Sequence, residues 1–280
     1  MSGWAESDWA ALPLGRGVTL LTRDANGLAA LAKPAGVLSH PNAVGDAPRA
    51  LLNAAYSFDG ECFEWNGPAP GFTLRRLWLL NRLDSATSGV ILVAADGALA
   101  AAMRLHFQRR EVHKVYNALV FGKPGQTAQI WQDKLEVKKH AGKIRGEMKV
   151  GRTVLGSPRR SLTKTGEPRL VRDDSPYRPS PFAETRMTVL SAGPKTALLR
   201  LEPLTGRSHQ LRVQCAERGR PIVGDATYGD FKRNREFAKQ TGIKRLLLHS
   251  LETHFEYEFG GKTFFFSAKA LLPPEFEAVL

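Results

Sequence analysis

Asn81-Arg82-Leu83-Asp84-Ser85-Ala86-Thr87-Ser88-Gly89 runs without a break into Val90-Ile91-Leu92-Val93-Ala94-Ala95. A continuous apolar run of this length, rich in β-branched residues, has the pattern of a buried strand. The polar, glycine-ended loop before it presents an arginine and a carboxylate at the strand's entry. Asp96 follows as an N-cap, and Leu99, Met103 and Phe107 recur at helical spacing, so a helix reaches to about Arg110 with one face inward. From Val112 to Phe121, Val115, Asn117, Leu119 and Phe121 alternate with Tyr116, Ala118 and Val120, the two-residue period of a strand. Tyr116 therefore shares a face with Ala118 and Val120.

Outward from this centre the chain reads mainly as strands. Val18 to Arg23 and Leu28 to Lys33 flank Asp24-Ala25-Asn26-Gly27, a hairpin signal. Thr185 to Leu190 and Thr196 to Glu202 flank Ala192-Gly193-Pro194-Lys195. Leu246 to Leu251, Thr253 to Glu258 and Lys262 to Ala268 supply three more, the last joined through a Gly260-Gly261 turn. Pro34 to Phe72 reads mainly as loop, with a helical turn or two at Ala50 to Tyr56. Many strands, short turns and few helices indicate an α+β fold on a largely antiparallel mixed sheet with flanking helices and loops. The expected organisation is an N-terminal arm over residues 1–17 and one catalytic domain over 18–280.

Lys and Arg number 40 against 27 Asp and Glu, a formal charge of +13 and a pI near 10.0. Such an excess favours a polyanionic partner, nucleic acid ahead of an anionic membrane surface. The charge is concentrated: Lys138 to Arg178 holds 12 Lys and Arg against 4 Asp and Glu, so 8 of the 13 net charges. Its glycines and prolines give a long insertion, about residues 138–180, that is either a solvated loop or an arm contacting phosphates. No apolar run approaches the roughly 20 residues needed to span a bilayer, and the start lacks the pattern of a signal segment. The chain reads as cytoplasmic, with no membrane and no obligatory protein partner indicated. Cys62 and Cys215 form no CxxC pair or zinc spacing, so neither a metal nor any other cofactor is expected.

Asp84 alone could be a turn former or a helix cap. Its surroundings change that reading, because the loop resembles the signature of the RluA branch of the RNA pseudouridine synthases: His-Arg-Leu-Asp, two variable residues, Thr-Ser-Gly, then an apolar strand. Lys33-Pro34-Ala35-Gly36-Val37, Lys114-Val115-Tyr116-Asn117-Ala118-Leu119-Val120 and Leu204-Thr205-Gly206-Arg207-Ser208-His209-Gln210-Leu211-Arg212-Val213 resemble further elements of that family. The last runs on through Gly219-Arg220-Pro221-Ile222-Val223-Gly224-Asp225, and Leu246-Leu247-Leu248-His249-Ser250 resembles a late strand. The likeness covers roughly residues 18 to 270 in the family's order. Two departures occur: Asn81 stands where the family has His, and Gln214 where it has the second His of its Arg-Val-His element.

The resemblance implies an isomerase that breaks the bond between ribose C1′ and uracil N1, turns the base and joins C1′ to C5. It makes Asp84 the nucleophile, as a carboxylate serves in retaining glycosidases; attack at C1′, attack at C6 and a glycal route stay open. Asp84 must remain ionised in a pocket partly stripped of water, and a guanidinium, by resemblance Arg212, would favour that form and orient it. Ser208 would cap the short helix that carries Arg212 in its second turn. Tyr116 would stack on uracil with its hydroxyl near the C5 proton; its bland alternative is a core tyrosine. Arg82 would fill the space left by a flipped uridine, or simply meet a phosphate. Lys114, His209 and Gln210 complete the expected substrate-binding set; of these, Lys114 with Lys33 would serve electrostatics and loop anchoring, and His209 and Gln210 would order the turn beside Arg212. The expected substrate is rRNA or tRNA. Two alternatives are a non-catalytic RNA-binding chaperone on the same scaffold and a nucleic-acid glycosidase. The glycosidase needs a second carboxylate beside Asp84, and Asp225 is remote in the chain.

Overall fold

The computed structural model describes residues 4–43, 45–67, 74–140, 143–151 and 182–276. Strands β1 (Thr19–Arg23) and β2 (Leu28–Lys33) form the expected hairpin. They are followed by β3 (Ala55–Ser57), β4 (Cys62–Asn66), β5 (Leu74–Leu79) and β6 (Ser88–Ala94). After helix α2 come β7 (His113–Phe121), β8 (Ala128–His140), β9 (Lys143–Gly151), β10 (Phe182–Ala192) and β11 (Thr196–Pro203), then β12 (Leu248–Phe259) and β13 (Lys262–Lys269). The helices are α1 (Glu6–Ala10), α2 (Gly97–Gln108), α3 (Gln210–Glu217) and α4 (Phe231–Thr241). The strands join one α+β sheet in the order β3-β4-β5-β6-β12-β7-β11-β10-β8-β9, with β2 on the other edge of β6 and β13 on β12. Among the described residues all strand pairs are antiparallel except β6 with β12.

The unbroken apolar run of β6 is explained by burial on both faces. Val90, Leu92 and Ala94 pack with Leu99, Ala100 and Met103 of α2 and with Phe255 and Phe266. Ile91 and Val93 face the other way, onto Leu31, Leu51, Phe63 and Leu77. Asp96 caps α2 by accepting the Leu99 N–H at 2.8 Å. β7 divides similarly: Ala118 and Val120 pack beneath α3, while Leu119 and Phe121 meet Phe276 and Phe237. Trp9 of α1 and Leu12 are buried in the same core as Ile91, so the leading segment is packed rather than free.

At its entry β6 forks. Lys33 of β2 pairs with Gly89 on one side, while Ser250 of β12 pairs with Gly89 on the other. At the far end β5 takes over that second edge through Trp78 and Leu79. Gly89 sits at φ +115°, and a Cβ there would lie 2.0 Å from the Ser250 carbonyl oxygen, so only glycine allows the strands to meet. The loop ahead of Gly89 is thereby held at the fork.

Several local expectations are corrected. Pro34 to Phe72 is mainly loop among its described residues, as expected, but its helical turn is a 3-10 turn at Ala47–Arg49 rather than at Ala50 to Tyr56, and it also holds strands β3 and β4, with Phe63 in the core. Short strands with one or two apolar residues leave too little period to read. Leu246 to Glu258 contains one strand, not two; the apparent break is a register shift against β7 between Ser250 and Glu252. The front of the basic stretch is an antiparallel ladder of β8 and β9; the charge there obscures the alternation of Ile144, Met148 and Val150 with charged neighbours. Residues 152–181 of the expected insertion lie outside the described residues.

Candidate active site

The loop between β5 and β6 carries Asp84 and is fastened at every turn. Asn81 Oδ1 accepts the Leu92 N–H at 2.7 Å, filling the unpaired edge of β6 at the fork. Ser39 and Leu83 exchange two hydrogen bonds, 2.8 and 3.0 Å. Gly36 N–H donates to the Ser85 carbonyl at 2.7 Å. The buried Lys33 ammonium donates to the carbonyls of Pro34, Val37 and Ser85 at 3.0, 2.7 and 3.1 Å, using all three of its donors. The Lys33 to Val37 element thus acts as the bed on which the Asp84 loop rests. Asn81 accordingly braces the loop in the place where a histidine was expected.

Burial pulls the Lys33 pKa down to about 7, with Asp84 opposing and Arg245 adding to the fall. An unfolded lysine keeps its proton to 10.5. Between these values the folded state binds fewer protons than the unfolded one, so stability rises with pH through that window. We expect the wild type to gain about 2–3 kcal/mol relative to Lys33→Met between about pH 7.5 and 9.5 in urea denaturation. A difference independent of pH would show that the carbonyl cage keeps the ammonium charged.

Asp84 faces Arg212 across the fork: Nη1 donates to Oδ2 at 3.0 Å. The other edge of the guanidinium is clamped by Asp225, Nε to Oδ2 and Nη2 to Oδ1, both at 2.8 Å. Asp225 Oδ1 also accepts the N–H groups of Thr227 and Tyr228. Burial works against the Arg212 charge, but hydrogen bonds and the charges of Asp225 and Asp84 outweigh it and hold its pKa above the ordinary arginine value. Burial likewise opposes ionisation of Asp225; Arg212 and the two backbone donors overcome this and leave its pKa lowered. Arg212 is therefore a fixed cation, aimed at Asp84 by a carboxylate that is itself 1% exposed.

Helix α3 begins differently from the expectation. Ser208 is not its cap; His209 occupies that position in the left-handed conformation, φ 55°, so Arg212 lies in the first turn. A non-glycine residue there is uncommon. His209 Nδ1 lies 2.8 Å from the Tyr228 hydroxyl, and Nε2 lies 3.7 Å from Asp84 Oδ1. Tyr228 also stands under the Arg212 guanidinium, 5.1 Å from ring centre to Cζ.

These groups open on a cleft of about 640 Å³, within the range of small-ligand sites. Arg82, Arg110, Lys114, Arg207 and Arg212 line it, and Asp84 is the one carboxylate among the described lining residues. Tyr116 lines the same cleft. Burial pushes its hydroxyl up to about 12, the Ser250 hydrogen bond opposing and the Asp84 charge adding, so at neutral pH it is an uncharged phenol. Desolvation lowers Lys114 to about 8. Arg82 is exposed beside Asp84.

Gln210 requires a correction. It borders the cleft, but its amide donates to the Glu184 carbonyl and the Thr185 hydroxyl and accepts from the Thr205 hydroxyl and Arg207 N–H. All four positions are occupied, so it braces the cleft wall and has nothing left for a substrate. Gln214 lies on the buried face of α3, bonded to Thr185, Asp133 and Ala183. Asp225, which linear reading set aside as remote, is the residue that clamps Arg212; the Gly219 to Asp225 element carried the only signal. Its place behind Arg212 does not supply the glycosidase's second acid, because its oxygens are saturated and buried.

A family model described as RNA pseudouridylate synthase matches residues 27–217. The tRNA pseudouridine synthase C of Vibrio vulnificus (strain CMCP6) is 34% identical over 181 residues, 64% of this chain and 66% of that protein. The ribosomal large subunit pseudouridine synthase C of Pasteurella multocida (strain Pm70) is 32% identical over 206 residues, 74% of this chain and 54% of that protein. The matched part of the chain thus spans just under two thirds of the first relative and about half of the second. A solved structure titled Human RNA Pseudouridylate Synthase Domain Containing 4 shares the fold, with TM-score 0.59 and 24% identity over 92% of this chain and 90% of that one.

Proposed function

The chain belongs to the RNA pseudouridylate synthase family, and from that premise we propose that it isomerises uridines in tRNA or rRNA to pseudouridine. Residues 18–280 act as the catalytic domain. The observation that carries this reading is Asp84, the one carboxylate among the described lining residues, held against a doubly anchored arginine in a cleft that also presents Arg82, Arg110, Lys114 and Arg207. A cationic cleft suits an RNA backbone, and a lone carboxylate suits a reaction with one nucleophile and no second acid.

The target uridine leaves its stack and enters the cleft, and exposed Arg82 takes the vacated space. Tyr116 lies against the uracil face as a neutral phenol. Asp84 attacks the nucleotide to form a covalent intermediate, the C1′–N1 bond breaks, the base turns, C1′ joins C5, and the bond to Asp84 breaks to return the free carboxylate. The C5 hydrogen then leaves as a proton, and N1 gains one, so no redox partner enters the balance. Lys114 and His209 hold the base and ribose at the rim, while Arg212, fixed by Asp225, holds and aims the Asp84 carboxylate.

The test is release of tritium to water from tRNA and rRNA labelled at uridine C5, since every new C1′–C5 bond must expel that hydrogen. The wild type is expected to release it from one RNA class and to leave pseudouridine in the product. Salt-sensitive binding to both classes with no release from either would overturn the isomerase reading in favour of an RNA-binding protein. Free uracil in the product would instead indicate a glycosidase.

A further inference from the structure

Three aromatic rings adjoin the cleft and take no part in the chemistry above. His40 lines the cleft and lies flat against Tyr56, with ring centroids 5.0 Å apart and planes 13° apart. Phe58 stands edge-on to both, 6.1 Å from His40 and 5.3 Å from Tyr56. Tyr56 backs onto Phe63 at 4.9 Å. The group is rooted in the core at one end and open at the other: Phe63 is 0% exposed and Phe58 61%.

Scattered exposed apolar residues are ordinary. Phe58 differs because it is ordered against two further rings, and one of these forms part of the cleft wall. Cationic charge adjoins the rings as well. Arg82 and His40 line the same cleft. Aromatic faces beside a guanidinium are how proteins grip unstacked bases of single-stranded RNA, through stacking and a phosphate contact. Flipping a uridine strips its neighbour of a stacking partner, which creates the need for such a surface at the mouth of the cleft.

We propose that His40, Tyr56 and Phe58 form a stacking subsite for a nucleobase adjoining the flipped uridine. The subsite rests on the reading of the chain as an RNA uridine isomerase. It tolerates different bases, because every base has a stacking face, so it raises affinity without selecting sequence.

Phe58→Ala and Phe58→Trp test the subsite, using bulk tRNA and rRNA tritiated at uridine C5 for kinetics and the same RNAs for filter binding. Loss of one base–aromatic contact weakens binding by about tenfold. Phe58→Ala should therefore raise KM and Kd by about that factor, with kcat within about twofold and the melting temperature unchanged. Phe58→Trp should restore both constants. Wild-type KM and Kd in Phe58→Ala would overturn the subsite, as would a loss confined to kcat or a defect that Trp does not repair. If the wild type releases no tritium, the isomerase reading fails, and the Kd comparison still decides whether the rings bind RNA.

Discussion

Asp84→Asn protein should fold, bind RNA and release no tritium. The side chain is 28% exposed and its contacts are with Arg212 and His209. Arg212 stays anchored by both oxygens of Asp225, and the asparagine carbonyl can still accept from Nη1. Thermal stability should therefore change little. An amide is too weak a nucleophile to form the covalent intermediate, and loss of a nucleophile lowers kcat by at least about 10⁴-fold. Removing the cleft's one described carboxylate also strengthens its attraction for phosphate, so RNA affinity should hold or rise, with a steeper dependence on salt. Circular dichroism melting, filter binding and tritium release together check this. Activity within about tenfold of wild type would exclude Asp84 as nucleophile.

Asp225→Asn should be damaging in two separable ways. The carboxylate takes two hydrogen bonds from Arg212 and two from backbone N–H groups, in a side chain only 1% exposed. An asparagine supplies one acceptor oxygen and points an NH₂ at a guanidinium. Breaking a buried pair of this kind costs about 3–5 kcal/mol, read as a lower urea midpoint. Arg212 would also lose the clamp that aims it, and misplacing a group at the reacting centre costs about 10²-fold. Measured at a temperature where the variant is fully folded, kcat should fall by that factor while RNA affinity stays near wild type. A stability loss with kcat preserved would make Asp225 a structural residue and leave Arg212 aimed by Asp84 alone.

Much of the architecture was legible in short-range pattern. The apolar run of β6, the alternation along β7 and the Asp96 cap each report which face of an element is buried, which is a local property of side-chain period. The Asp84 loop was legible for a similar reason: a polar stretch ending in Gly89 immediately before a buried strand has to be presented at that strand's entry. Elements with weak period were lost, among them β3, β4 and β8, as was α4, whose polar composition gives little inward face.

The sequence by itself determined an α+β chain with a carboxylate loop at a buried strand, a tyrosine on the face shared by Ala118 and Val120, and a strongly basic surface. Only the tertiary structure decided what surrounds that carboxylate. Asp84 meets Arg212, 128 positions along the chain, because β6 and β12 pair in parallel at Gly89 and Ser250, and α3 starts from a left-handed His209. It also decided that Gln210 spends its amide on the cleft wall and Gln214 on buried groups under the helix, while Asp225 stands behind the arginine. Such outcomes depend on register between distant strands and on which buried polar groups find partners. Those energies belong to pairs of residues, so no window along the chain contains them.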